Sequence, residues 1–164
     1  MSDPDLLSQL EHDHGPLTEW VETLRQHISD LRGEPSPASV RALHPAFSEA
    51  VEELRDDLLE HFGREEECLF PFLCDTLPEL RARIEALEAG HDQICGALLR
   101  LGYLADREVD EFIEQLDQVI NTFGRFDDAY IQHAADERDL LHRANAGLNP
   151  AQRAALREAE RGLL

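Results

Sequence analysis

The chain carries HFGRE at His61–Glu65 and HAADE at His133–Glu137, two copies of the pattern His-x-x-x-Glu. Residues four apart in a helix lie on nearly the same side of it, so each copy directs an imidazole and a carboxylate the same way. The neighbouring sequence repeats as well, because two aspartates precede each copy and a leucine follows four residues after each glutamate. Both side chains are metal ligands. Two copies on two helices therefore predict a metal site built between helices.

Length and composition limit the class of protein. The 164 residues have a formal net charge of −20 and are 42% hydrophobic, which is typical of one globular domain. An acidic surface is repelled by nucleic acid and by anionic membranes, so we expect neither as a partner.

The chain also lacks targeting and disulfide patterns. No apolar run approaches the roughly 20 residues that a membrane span needs, and the first residues do not resemble a secretory signal. Three cysteines without a Cys-x-x-Cys pair argue against a disulfide scaffold or a zinc finger. A cytoplasmic location is the default expectation.

Four long segments show helical periodicity, with apolar residues at steps of three and four, and no segment alternates as a strand does. The apolar stripes run from Leu7 to Leu31, from Phe47 to Leu69, from Leu80 to Leu101 and from Val109 to Leu140.

Helix ends are predicted from proline and capping residues. We expect His44-Pro45 at the start of the second helix, Pro71 near its end, a capping box at Thr76–Glu79 before the third, Asp106 as N-cap of the fourth, and Asn149-Pro150 opening a tail helix to about Arg161.

Helices of this length with short links predict an all-α fold, an antiparallel up-down four-helix bundle with a short C-terminal fifth helix. We expect the bundle to span residues 1–148. Residues 149–164 then form an amphipathic helix that packs on the bundle or trails it.

Six polar side chains interrupt the apolar stripes. Isolated imidazoles and carboxylates in a core are unfavourable unless they are paired or bind a metal. In an up-down bundle all six fall near the same end, and each half of the chain supplies one lone histidine and one His-x-x-x-Glu. The candidate metal ligands are His14, His61, Glu65, His91, His133 and Glu137.

These residues resemble the hemerythrin-like HHE cation-binding family over roughly residues 5–145. The resemblance rests on EHDHGPL (Glu11–Leu17), LEHFGREEECLFP (Leu59–Pro71), AGHDQI (Ala89–Ile94) and IQHAADERDLL (Ile131–Leu141). It implies a non-haem di-iron centre with two iron ions joined by an oxo or hydroxo bridge. The four histidines would be terminal ligands, and Glu65 and Glu137 would bridge the ions.

The chain departs from the oxygen-carrying hemerythrins at two points. Cys95 stands where the carriers have a second histidine, one turn after His91. In the fourth helix, Glu137 lies four residues after His133, whereas the carriers have an aspartate at a longer spacing from their histidine. The resemblance therefore implies binding of dioxygen, nitric oxide or peroxide, or the sensing or holding of iron. A di-iron oxidoreductase that decomposes hydrogen peroxide is the alternative, and a metal-free or zinc-bound interaction bundle is the third.

Several assignments stay open. His12 competes with His14, although it points about 200° away from the stripe. Cys95 and Tyr130 are either core residues or participants in the site, and Glu66 is expected on a solvated acidic edge. A ferritin-like centre needs Glu-x-x-His on two helices, and only Glu88 to His91 fits.

Overall fold

A computed structural model describes residues 6–33 and 35–162, without the side chains of Leu6, Gln9, Glu11, His12 and Asp13. These parts of the chain contain helices, short turns and no strand, which confirms the all-α prediction. The helices are α1 (Leu6–Arg32), α2 (Pro37–Arg64), α3 (Phe70–Thr76), α4 (Arg81–Ala105), α5 (Val109–Glu114), α6 (Leu116–Gly147) and α7 (Pro150–Arg161), with a π-turn at Glu65–Leu69 and a 3-10 turn at Pro78–Leu80.

The second helix begins earlier than predicted. Ser36 accepts a hydrogen bond from the backbone of Ser39 and its own backbone N–H donates to the Ser39 side chain, which forms a capping box. Pro37 occupies the first turn, where a backbone N–H has no partner within the helix. The missing N–H of proline is therefore tolerated there. The expected start at His44-Pro45 is therefore wrong, and Pro45 lies inside α2.

The same helical segment also continues past its predicted end. At the π-turn Glu65–Leu69 the backbone N–H of Phe70 donates to the carbonyl of Glu65, five residues back. Pro71 then falls in the first turn of α3, a position that tolerates its missing N–H. The predicted end near Pro71 is wrong, because the helical segment runs through the π-turn and α3 to Thr76.

Two further caps differ from expectation. No capping box forms before the third helix, since Thr76 ends α3 and Leu77 has no side-chain cap. Asp106 closes α4, its N–H donating to the carbonyl of Gly102, instead of opening the fourth helix. The fourth helical segment is divided at Gln115 into α5 and α6.

The four long helices contact one another in a ring, α1 with α2, α2 with α4, α4 with α6 and α6 with α1. Their buried apolar side chains form two clusters. The larger cluster includes Leu24, Phe47, Val51, Leu101 and Phe126, and the smaller cluster includes Leu7, Leu10, Leu69, Leu87, Leu140 and Leu156.

The six candidate ligands, here called the polar layer, fall between the two clusters along each long helix. In α1, for example, His14 follows Leu10 of the smaller cluster and precedes Leu17 of the larger one. In α4 the order is the same, with His91 between Leu87 and Ile94. The fold thus places one polar layer between two apolar regions.

The tail helix α7 begins and ends where predicted. Asn149 caps it by accepting from the backbone N–H of Gln152, and the Gln152 side chain completes a capping box. Leu156 is fully buried in the smaller cluster, so α7 covers the end of the core next to α1 and the π-turn. In the described part of the chain, no helix has the length and apolar character that crossing a bilayer requires.

Candidate metal centre

The polar layer draws on all four long helical segments. His14 comes from α1, His61 from the last turn of α2, Glu65 from the π-turn, His91 from α4, and His133 with Glu137 from α6. Five of the side chains are buried, whereas the His14 side chain is 32% exposed. The sequence pattern placed all six in apolar stripes, and the structure brings all six together.

The side chains form two ligand groups. The first ligand group is His14, His61 and Glu137, and the second ligand group is Glu65, His91 and His133. Within each group the three ligand atoms lie within 4.8 Å of one another. Each group therefore offers two imidazoles and one carboxylate to one cation.

Glu65 connects the two groups. Its Oε1 lies 2.8 Å from Nε2 of His61, and its Oε2 lies 2.9 Å from Nε2 of His91. The two oxygens of one carboxylate thus face imidazoles that belong to different ligand groups.

Glu137 lies closer to the first ligand group than to the second. Its Oε2 lies 3.0 Å from Nε2 of His14 and 3.8 Å from Nε2 of His133. Its Oε1 lies 3.2 Å from Nε2 of His61. Both carboxylates therefore lie within 4 Å of imidazoles from both groups.

Several polar atoms of the layer lack hydrogen-bond partners within the described part of the chain. Both oxygens of Glu65, Nε2 of His91 and both ring nitrogens of His133 are buried without a hydrogen-bond partner among the described residues. The short contacts of Glu65 thus lack hydrogen-bond geometry. Buried polar atoms left in this state are unfavourable. Two cations between the groups would satisfy the carboxylate oxygens, Nε2 of His91 and one ring nitrogen of His133, because each histidine offers one nitrogen to a cation. The residues fit a two-metal site.

The two buried carboxylates perturb each other's pKa. Burial and the neighbouring Glu137 carboxylate raise the pKa of Glu65. Burial alone would raise the pKa of Glu137, but the adjacent Glu65 carboxyl and hydrogen bonds with His14 and His61 hold this pKa well below its usual range. Two adjacent buried carboxylates resist joint ionisation unless positive charge lies beside them.

The buried histidines are perturbed in opposite directions. Burial lowers the pKa of His61, but the carboxylates of Glu137 and Glu65 outweigh it and raise this pKa to about 10. Burial dominates at His133 and lowers its pKa to about 4. Without metal, His61 is therefore the protonated partner of the carboxylates and His133 is neutral.

Glu66 has a contact that sequence reasoning missed. Its Oε1 accepts a hydrogen bond from Nδ1 of His91 at 2.7 Å, although its side chain is 45% exposed. The expected placement of Glu66 on a solvated edge is therefore incomplete. Consecutive residues of a regular α-helix point about 100° apart, and the π-turn brings Glu65 and Glu66 to the two nitrogens of one ring.

Two aromatic rings stack on His91. Phe62 stacks on the imidazole at a centroid distance of 3.8 Å, and Phe70 stacks at 5.7 Å. Both phenylalanines are buried. The apolar stripes predicted neither contact, because both join residues of different helical segments. Phe70 also follows the π-turn, which the sequence did not reveal.

The open assignments divide as follows. Cys95 is half-buried against the larger cluster and belongs to neither ligand group, so it is a core residue. Glu88 is exposed, which removes the ferritin-like pairing with His91. The side chain of His12 lies outside the described residues. Tyr130 is half-buried and lines a cavity of about 90 Å³ beside the first ligand group.

Comparison with known proteins agrees with this geometry. The chain has no match among curated proteins and none among solved structures. The sequence model of one family, the hemerythrin HHE cation binding domain, matches residues 5–145 and so covers most of the chain. This match confirms the resemblance found in the sequence, and the chain belongs to the hemerythrin HHE cation-binding domain family.

Proposed function

We propose that the protein holds two iron ions in the polar layer and binds a small ligand there, namely dioxygen, nitric oxide or hydrogen peroxide. The four histidines act as terminal ligands, and Glu65 and Glu137 bridge the ions. One observation carries the proposal: each of the two carboxylates contacts imidazoles of both ligand groups.

The donor set favours iron over a structural zinc. Structural zinc takes four ligands in a closed tetrahedron, usually with thiolates, and neither ligand group contains a cysteine. Mixed imidazole and carboxylate donors with positions left for other ligands suit non-haem iron. When bound, iron would supply redox chemistry and Lewis acidity at this layer.

The remaining residues position the ligands and limit water. Glu66 orients His91, and the stacked rings of Phe62 and Phe70 cover it. The carboxylates hold a proton on His61 until a cation replaces it. On the side of His14 the layer opens to the cavity of about 90 Å³, which gives a small molecule access.

An antiparallel up-down arrangement of the four long helices is part of this proposal. It is supported by the order of the two clusters along the chain. Residues of the smaller cluster precede the polar layer in α1 and α4, whereas they follow it in the α2 segment and in α6. Helices that run alternately up and down produce this alternation.

Metal analysis of the purified protein tests the proposal, together with absorption spectra recorded without and with air. We expect about two irons per chain and an oxo-to-iron absorption band. Glu65→Gln should lose iron because the amide cannot bridge two cations. Glu88→Gln is the matched control, since Glu88 is exposed on α4. A single zinc per chain, or two irons retained in Glu65→Gln, would contradict the proposal.

A further inference from the structure

The cavity beside the first ligand group is positioned to hold a ligand. Its wall includes His14, His61 and Glu137 of the first group and His133 of the second. Its volume of about 90 Å³ holds a few water-sized molecules and no large organic substrate. A molecule in this space lies next to both ligand groups.

Hydrogen-bonding side chains line the same cavity. Thr18 from α1 and Tyr130 and Arg138 from α6 contribute two hydroxyls and a guanidinium. Tyr130 lies three residues before His133, so the two side chains share one face of α6. The cavity wall thus combines candidate metal ligands with hydrogen-bond donors.

Tyr130 is held as a fixed donor. Its ring stacks on the fully buried Phe126 at a centroid distance of 5.7 Å. Burial raises the pKa of Tyr130, partly offset by its hydrogen bond with Thr18, so the phenol keeps its proton at neutral pH. A protonated phenol is able to donate that proton in a hydrogen bond.

We propose that the Tyr130 hydroxyl donates a hydrogen bond to a small ligand in this cavity, and that the ligand is of the peroxide class. This inference rests on the di-iron function proposed above. As free molecules, dioxygen and nitric oxide are weak hydrogen-bond acceptors, so a phenol in the cavity favours the entry of neither. The oxygens of hydrogen peroxide accept hydrogen bonds, so a phenol donor in the cavity favours this molecule over the other two.

The test uses iron-loaded protein and two probes. Azide stands in for a hydrogen-bond-accepting ligand and is titrated into the oxidised protein. Nitric oxide, a weak acceptor, is titrated into the reduced protein. The dissociation constants follow from absorption changes in the wild type, in Tyr130→Phe and in Tyr103→Phe. Tyr103 is the control because it is half exposed and lies over Arg100 and Arg107, away from the ligand groups.

We expect Tyr130→Phe to weaken azide binding by roughly tenfold or more, the value of one hydrogen bond to a charged acceptor. Nitric oxide binding should stay within about twofold, and Tyr103→Phe should match the wild type. Thr18→Val, at an exposed position, should weaken azide binding by a smaller factor because Tyr130 loses its hydroxyl partner.

Three results would overturn the inference in different ways. Unchanged azide binding in Tyr130→Phe, with two irons present, removes the donor role and leaves the proposed function standing. Equal weakening of azide and nitric oxide means that the tyrosine only shapes the cavity. A wild-type protein without bound iron defeats the proposed function, and this inference fails with it.

Discussion

Nδ1 of His91 donates a hydrogen bond to the carboxylate of Glu66 across 2.7 Å. A proton fixed on Nδ1 leaves Nε2 as the free lone pair, and Nε2 is the atom that faces Glu65 in the polar layer. Outer carboxylates of this kind orient metal-binding histidines and raise their basicity. Glu66 therefore selects the tautomer of His91 that is competent to bind a cation.

Removing this carboxylate should weaken metal binding without unfolding the protein. We expect Glu66→Gln to lower iron affinity by about 10- to 100-fold, the usual effect of losing such a partner. Competition with a chelator measures the affinity, and the melting temperature of the metal-free protein checks the fold. Glu67→Gln, exposed on the same π-turn, is the control. Equal affinities in the two variants would refute the role of Glu66.

Gly90 provides room for His133. A Cβ atom at residue 90 would lie 3.3 Å from Nδ1 of His133, closer than ordinary packing, whereas a Cβ at Gly96 in the same helix would contact nothing within 4 Å. We expect Gly90→Ala to displace the imidazole and reduce iron content. Gly96→Ala should keep its iron and gain about 0.5–1 kcal/mol of stability, since alanine is the better helix former. Iron analysis and chemical denaturation of both variants decide the matter, and a Gly90→Ala protein with full iron content would show that the space is not needed.

Helical stripes could be predicted from sequence because burial itself sets their period. The stripe residues of α1 from Leu7 to Leu31 are buried, apart from the half-exposed His14. The same reasoning placed the six polar side chains on inward faces, since each occupies a position that an apolar residue would otherwise fill. Their roles as ligands remain predictions.

The helix ends were harder to predict, because several signals compete locally. A helix could begin after Ser36, as its N-cap, or at Pro45, in its first turn. In the structure the capping box at Ser36 sets the start of α2. The π-turn Glu65–Leu69 could not be predicted from the local sequence. Its i→i+5 hydrogen bonding occurs where Glu65, Glu66 and Phe70 all contact His91, which lies on another helix. A contact between distant helices is not visible in the spacing of residues within one helix.

Iron binding should release protons at neutral pH. The pKa of His61 is raised to about 10 in the metal-free protein, so its imidazole is protonated at pH 7 and must lose that proton to bind a cation. Iron affinity is therefore expected to rise with pH until the pH exceeds this pKa. Calorimetric titrations in buffers of different ionisation enthalpy count the protons released. Release of at least one proton near pH 7 is the expected result, and a count of zero would contradict the protonated state of His61.

The tail helix should contribute to both stability and metal binding. Leu156 of α7 is fully buried in the smaller cluster, which also includes Leu69 of the π-turn. Leu156→Ala should lower the free energy of unfolding by about 2–5 kcal/mol through the cavity it leaves. Leu99→Ala, at a side chain 71% exposed, should change it by less than about 0.5 kcal/mol.

Because the π-turn carries Glu65 and Glu66, loosening the cluster beneath it should also weaken iron binding in Leu156→Ala. Chemical denaturation of the metal-free variants separates the packing effect from the metal effect, and chelator competition then reports the affinity. An unfolding free energy unaffected by Leu156→Ala would mean that α7 does not pack on the core in solution. A loss of stability with unchanged iron affinity would instead show that the π-turn keeps its shape without support from α7.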